Sequence, residues 1–256
     1  MSITNAELVF LAAVNRPNDD VSTGGGAIDL TCGCGAINHL TAAAVISFVS
    51  TNSGDTMNIT ISGRTASGVY TTETLAMNGT TEVSSVNTYQ RILDVTFASL
   101  PAGVISVYQG TGTGTLIGGF NSAGHPYYKD TALFKKSASS STAVTRYDKV
   151  FFKNTDASLT LTGATVTLVA DPSGRISIGL ETALNDVNTI TNRLTAPAGI
   201  TFQGVGTAIN VPNSQNLTNG SYIGIWVRQA LLANDGAFDY GVSGSQLEIQ
   251  LSGNTT

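Results

Sequence analysis

Charge is the scarcest commodity in this chain. It holds 12 basic and 17 acidic residues, 11% of the total, where an ordinary soluble domain carries roughly 25%. Thr alone outnumbers them, with 35 copies. Few groups remain for acid, base or metal chemistry, so the expectation is a non-enzymatic protein with no cofactor, no metal and no catalytic residue. The two histidines, His39 and His125, have no metal-ligand partner at i+3 or i+4. No Gly-x-Ser-x-Gly elbow and no phosphate loop ending in Gly-Lys-Ser/Thr occurs. Gly110-Thr-Gly112-Thr-Gly114 lacks a strand-to-helix setting and reads as a turn.

Long apolar runs are missing too. The run Leu8–Val14 has seven residues, and a membrane span needs about twenty. The seven residues before it carry an acid and no Lys or Arg, a poor secretory signal. The start therefore reads as mature sequence made in the cytoplasm. No apolar stripe of period 3.6 and no heptad pattern appears, which argues against amphipathic helices and a coiled-coil stalk. A net charge of -5 and a pI near 4.8 argue against wholesale nucleic-acid binding.

Cysteine is limited to Cys32 and Cys34, in Thr-Cys-Gly-Cys-Gly. Two thiolates do not complete a tetrahedral zinc site. Spacing of two puts both on one face of a strand. Buried thiols are the plain reading; an inter-subunit disulfide or a shared metal is the other. Asn18-Asp19-Asp20 offers three oxygen-bearing side chains, but not in the spacing of a calcium loop. Glu73 and Glu82 are near enough in sequence to meet across a hairpin.

What is abundant points to strands. Thr is β-branched and suits extended backbone, while Gly and Asn suit turns. Met57–Ser62 alternates Met57, Ile59 and Ile61 with Asn58, Thr60 and Ser62. Asn78-Gly79 between alternating runs predicts a hairpin. About six short strands are predicted between residues 44 and 108. The second half is patterned in the same way. It offers Lys149–Lys153, strands on either side of Gly163, a turn at Asp171-Pro-Ser-Gly174, and strands at 175–180, 222–227 and 247–251. Residues 182–193 read as a helical turn or an irregular excursion. Trp226, the single Trp, reads as a core anchor.

The predicted fold is all-β, with two antiparallel β-sandwich domains, Ig-like or jelly-roll in type. An extended N-terminal arm spans 1–27, the first sandwich 28–115, a Gly-rich linker 116–127 and the second sandwich 128–256. Charge divides unevenly across these parts. Residues 1–120 hold three bases and eight acids, whereas residues 121–256 hold nine of each. Six bases fall in one short stretch: Lys129, Lys135, Lys136, Arg146, Lys149 and Lys153. They read either as a solvated strand face or as a docking patch for an acidic partner surface.

Several segments resemble virion structural proteins of tailed bacteriophages. One runs from Gly54-Asp-Thr-Met-Asn-Ile-Thr-Ile-Ser-Gly63 through Thr72-Glu-Thr74 and Met77-Asn-Gly-Thr-Thr81 to Tyr89-Gln-Arg-Ile-Leu-Asp-Val95. Tyr147-Asp-Lys-Val-Phe-Phe-Lys-Asn154 and Ile223-Gly-Ile-Trp-Val-Arg228 are similar to strands of the same kind of domain. The resemblance covers roughly residues 45–108 and 147–251. It implies a β-sandwich virion component and no catalytic residues. The expected role is capsid decoration or cement. The partners would be the major capsid protein or neighbouring copies, with a homo-oligomer in the particle and synthesis in the host bacterial cytoplasm. The alternatives are a tail, neck or baseplate part, and a carbohydrate-binding adhesin module using Tyr70, Tyr127 and Tyr128.

Overall fold

Alternation in the sequence becomes alternation of burial. In Asn58–Arg64 the side chains of Ile59 and Ile61 turn inward and Gly63 is buried with them, while Thr60, Ser62 and Arg64 are half-buried; successive Cβ atoms of a strand point to opposite faces. The computed structural model describes residues 2–4, 7–35, 37–38, 40–112, 114–120, 129–135, 141–235 and 247–256. The fold is all-β with several antiparallel sheets.

The chain forms two compact units. One comprises Met1–Asp29, Leu133–Tyr240 and Ser245–Thr256; the other comprises Leu30–Ala132 and Gly241–Gly244. The first unit opens with β1 (Leu8–Asn15) and the start of β2 (Gly24–Cys34). The second takes the end of β2, then β3 (Ile46–Ser50), β4 (Asn58–Arg64), β5 (Tyr70–Ala76), β6 (Val83–Ser84), β7 (Arg91–Phe97), β8 (Ile105–Gln109), β9 (Thr115–Phe120) and β10 (Lys129–Thr131). The chain returns to the first unit with β11 (Val144–Asn154), β12 (Leu161–Ala170), β13 (Ile176–Leu180), β14 (Thr189–Ile190) and β15 (Ala208–Asn210). The turn Pro212–Gln215, β16 (Tyr222–Leu231) and β17 (Glu248–Thr255) complete it.

In the second unit one sheet runs β2-β10-β7-β4-β5 and the other β6-β3-β8-β9. The β10–β2 pair is parallel. Both sheets supply one core: Ile59, Ile61, Val95 and Phe97 from one, Phe48, Ile105, Val107 and Phe120 from the other. Phe97 stacks edge-on against Phe120 at 4.8 Å between ring centres. Asn78-Gly79 does make a tight turn, with the Thr81 amide donating to the Asn78 carbonyl at 3.0 Å. It is not a hairpin within one sheet, however. The chain leaves β5, which pairs with β4, and enters β6, which pairs with β3.

In the first unit the order is β13-β16-β11-β1-β2, with β14 added on β2, and a separate sheet runs β15-β12-β17. The strands expected on either side of Gly163 are a single strand, β12, with a bulge between Thr162 and Thr165. Gly163 sits there at φ +58°, a left-handed position that glycine takes without a Cβ penalty. Pro212–Gln215 is a left-handed turn: Asn213, Ser214 and Gln215 have φ of 65°, 55° and 63°.

Two segments differ from expectation. Residues 8–15, expected within an arm, are strand β1, hydrogen-bonded between β11 and β2. Leu11, Ala12 and Ala13 are buried, and Val9 is too, so the strand is apolar on both faces and belongs inside a sheet rather than in solvent. Strand β9 (Thr115–Phe120) runs from the end of the expected first sandwich into the expected linker 116–127 and pairs with β8, with Ile117 and Phe120 in the core. Gly119 packs so close to the Ile105 carbonyl that a Cβ would lie 2.5 Å from its oxygen, a close backbone approach of the kind that places glycine in a strand. The rest of that segment, 121–128, lies outside the described residues.

Candidate functional site

Strand β11 concentrates charge inside the first unit. It lies between β16 and β1, paired with β16 from Val144↔Leu231 to Lys153↔Tyr222. Arg146, Asp148 and Lys149 are all buried, and an isolated buried charge is costly unless paired and hydrogen-bonded. Each has found a partner. Arg146 makes a two-pronged pair with Asp20, 2.7 Å from Nε and 3.0 Å from Nη2. Asp148 takes two hydrogen bonds from Arg193, at 2.8 and 2.6 Å, and a third from the Phe134 amide at 2.7 Å.

Lys149 centres the densest group. It lies directly opposite Trp226, and Phe151, two residues on, shares its face and is opposite Gly224. Its ammonium is 5.1 Å from the Trp226 ring centre and 5.2 Å from that of Phe151, within cation–π range. The Lys149 side chain has no solvent-exposed surface; its Nζ contacts Glu181 Oε1 at 2.9 Å and touches Asp186 Oδ1 directly. It also donates to the Asn188 carbonyl at 3.1 Å.

The two carboxyls differ in support. Glu181 follows the end of β13, where its amide donates to the Gly224 carbonyl at 2.9 Å. Besides Lys149 it accepts from Trp226 Nε1 at 2.7 Å and Asn188 Nδ2 at 2.8 Å. Asp186 accepts from the Asn188 amide at 3.2 Å through Oδ1, while Oδ2 is buried with no hydrogen-bond partner. Burial opposes ionisation of Glu181, but these donors offset it and hold its carboxyl below the ordinary value. Burial pushes the Asp186 carboxyl up to about 6, with the neighbouring Glu181 charge adding to the rise. Of two carboxyls facing one ammonium, Glu181 carries the charge and Asp186 takes up a proton first.

Gly224 makes room for this meeting. A Cβ there would lie 2.5 Å from Asp186 Oδ2, 2.8 Å from Lys149 Cε and 2.9 Å from Glu181 Cγ. The group is thus a buried ammonium, an acid that protonates readily and an ionised carboxylate, packed under Trp226. Among the described residues no cluster of three or more His, Cys, Asp and Glu is placed to hold a metal.

The bases singled out from sequence differ in placement among the described residues. Arg146 and Lys149 are buried in internal ion pairs. Lys153 is half-buried; its ammonium donates to the Gly220 carbonyl at 2.6 Å and lies 5.8 Å from the Tyr222 ring. Lys129 is on β10 in the second unit, whereas Lys135, also half-buried, is in the first. Lys136 lies outside the described residues, as do His39, His125, Tyr127 and Tyr128. Cys32 and Cys34 are buried thiols on β2. Asp19 caps its own turn through the Val21 and Ser22 amides, and Asp20 serves Arg146. Glu73 and Glu82 bind different loops, Glu73 the Val86 and Asn87 amides and Glu82 the Gly112 amide.

Glu181 and Asp186 give no signal in the sequence. They sit in a segment with no periodicity, and partners 32 and 37 residues from Lys149 leave no local spacing. The one available hint was a lysine inside an apolar strand, Lys149-Val-Phe-Phe152. No protein-family model matches the chain, and no curated protein matches it.

Proposed function

We propose that this chain is a non-enzymatic structural protein of a tailed-bacteriophage virion, a decoration or cement protein that binds the capsid lattice, with each unit a β-sandwich. One observation carries the reading: the allocation of charge and hydroxyl. Two bases of β11, Arg146 and Lys149, are turned inward to partners of the same unit. The β4–β5 ribbon at a sheet edge instead presents hydroxyls, Thr60 against Thr74 at 3.0 Å and Ser62 against Thr72 at 3.4 Å. Hydroxyl pairs of this kind pack against a neighbour with little ionic desolvation. Many such contacts across a lattice stabilise a particle by mass action. The resemblance of residues 45–108 and 147–251 to virion proteins supports the same role.

The test is sedimentation of the purified chain with assembled phage heads that lack it, and separately with tails. Co-migration with heads supports decoration. Co-migration with tails alone moves the protein to the tail, neck or baseplate, and migration with neither overturns the virion reading.

A further inference from the structure

We infer that Lys149 and Asp186 are joined by a side-chain amide bond that the protein forms on itself, with Glu181 as the base. The inference stands apart from the virion reading and concerns only the first unit.

The geometry supplies every part of the reaction. The attacking atom, Lys149 Nζ, touches the Asp186 carboxyl, and both side chains are buried, at 0% and 6% exposure. Glu181 Oε1 is 2.9 Å from the same nitrogen, within reach for proton transfer. Held contact of this kind replaces an improbable encounter with an intramolecular step, an advantage of several orders of magnitude. Trp226 and Phe151 cover the Lys149 Nζ, so the site is closed to bulk water and an amide once formed is shielded from hydrolysis. Asp186 Oδ2, which has no hydrogen-bond partner, is the oxygen free to depart. The readiness of Asp186 to hold a proton, caused first by its burial, makes its carbonyl carbon an electrophile rather than a carboxylate.

The step balances without any co-reactant. Glu181 carboxylate removes one proton from the Lys149 ammonium. The neutral amine attacks Asp186 Cγ, forming the C–N bond. The tetrahedral adduct loses a second amine proton and the Oδ2 hydroxyl, which leave together as water. The products are one secondary amide, one water and a protonated Glu181. Nothing is oxidised or reduced. The loop so closed runs 37 residues and ties β11 to the segment after β13.

A plain buried ion triad is the competing state, and mass separates the two. The full chain, produced in the bacterial cytoplasm and unfolded in denaturant, is weighed intact beside Lys149→Arg, which keeps the charge but forms no such amide. After correction for the substitution, the wild type is expected to be lighter by one water. Protease digestion is expected to yield one branched peptide pair joined between Lys149 and Asp186. Glu181→Gln retains both reacting groups and is expected to lose the link while keeping its far-UV circular dichroism. A wild type at full mass, or a lost water that maps elsewhere, overturns the bond. A linked Glu181→Gln overturns the role of Glu181. Should either variant fail to fold, the wild-type peptide map decides alone.

Discussion

At the scale of single residues, two positions concentrate the demands of packing. Gly224 has no side chain because three others meet above it. Gly224→Ala pushes a methyl into packed side chains, a perturbation of about 1–3 kcal/mol. Its urea midpoint is expected to fall, and the Lys149–Asp186 contact to open. Asp55 does a comparable service in the second unit. It is buried and accepts from Ser50 Oγ at 2.5 Å, the Ala102 amide at 2.8 Å and the Gly103 amide at 3.0 Å. Burial alone would raise its carboxyl, yet these donors hold it below 3.8 in the folded protein. The unfolded state therefore binds the proton more tightly, and stability from this group is present above pH 3.8 and lost as pH falls through the folded value. Asp55→Asn is expected to flatten the acid limb of the stability curve below pH 3.8, read from urea titrations at successive pH values.

At the scale of elements, β11 is fastened to loops by side chains as well as to neighbouring strands by backbone. Asp148 holds Arg193 in the segment after β14 and the Phe134 amide before β11. Removing Arg193 strands a buried carboxylate, so Arg193→Ala is expected to destabilise the protein by about 3–5 kcal/mol, measured by denaturant unfolding. Arg193→Lys is expected to recover only part of this, because Lys does not reproduce the two-pronged contact. By the loop-closure argument, a covalent Lys149–Asp186 tie would add roughly 4 kcal/mol through the restricted unfolded chain. Lys149→Arg is expected to lower the thermal midpoint accordingly.

At the scale of the whole molecule, two compact units with separate buried clusters are expected to unfold in two transitions. The single Trp226 belongs to the first unit, so its fluorescence follows that unit alone. Asp55→Ala, in the second unit, is expected to move the circular dichroism transition and leave the fluorescence midpoint in place. Coincident shifts of both signals would show one cooperative body instead.

Much of the strand content was legible because it rests on local rules. Met57–Ser62 alternates, Asp171-Pro-Ser-Gly174 turns, and the Gly174 amide does bond the Asp171 carbonyl at 3.2 Å. Trp226 is the core anchor its surroundings implied, 1% exposed. Strand partners were not legible. Nothing near Leu8 announces that it pairs with Asn154, and nothing in Gly-rich 115–120 announces its place on β8. Low charge, β-branched abundance and turn dipeptides by themselves determined that this protein is built of strands, since backbone preference and side-chain period act between near neighbours. Only the tertiary structure decided that Lys149 points inward to Glu181 and Asp186 rather than outward to a partner. That choice depends on which distant side chains share its face, and on a missing Cβ at Gly224, neither of which any local pattern encodes.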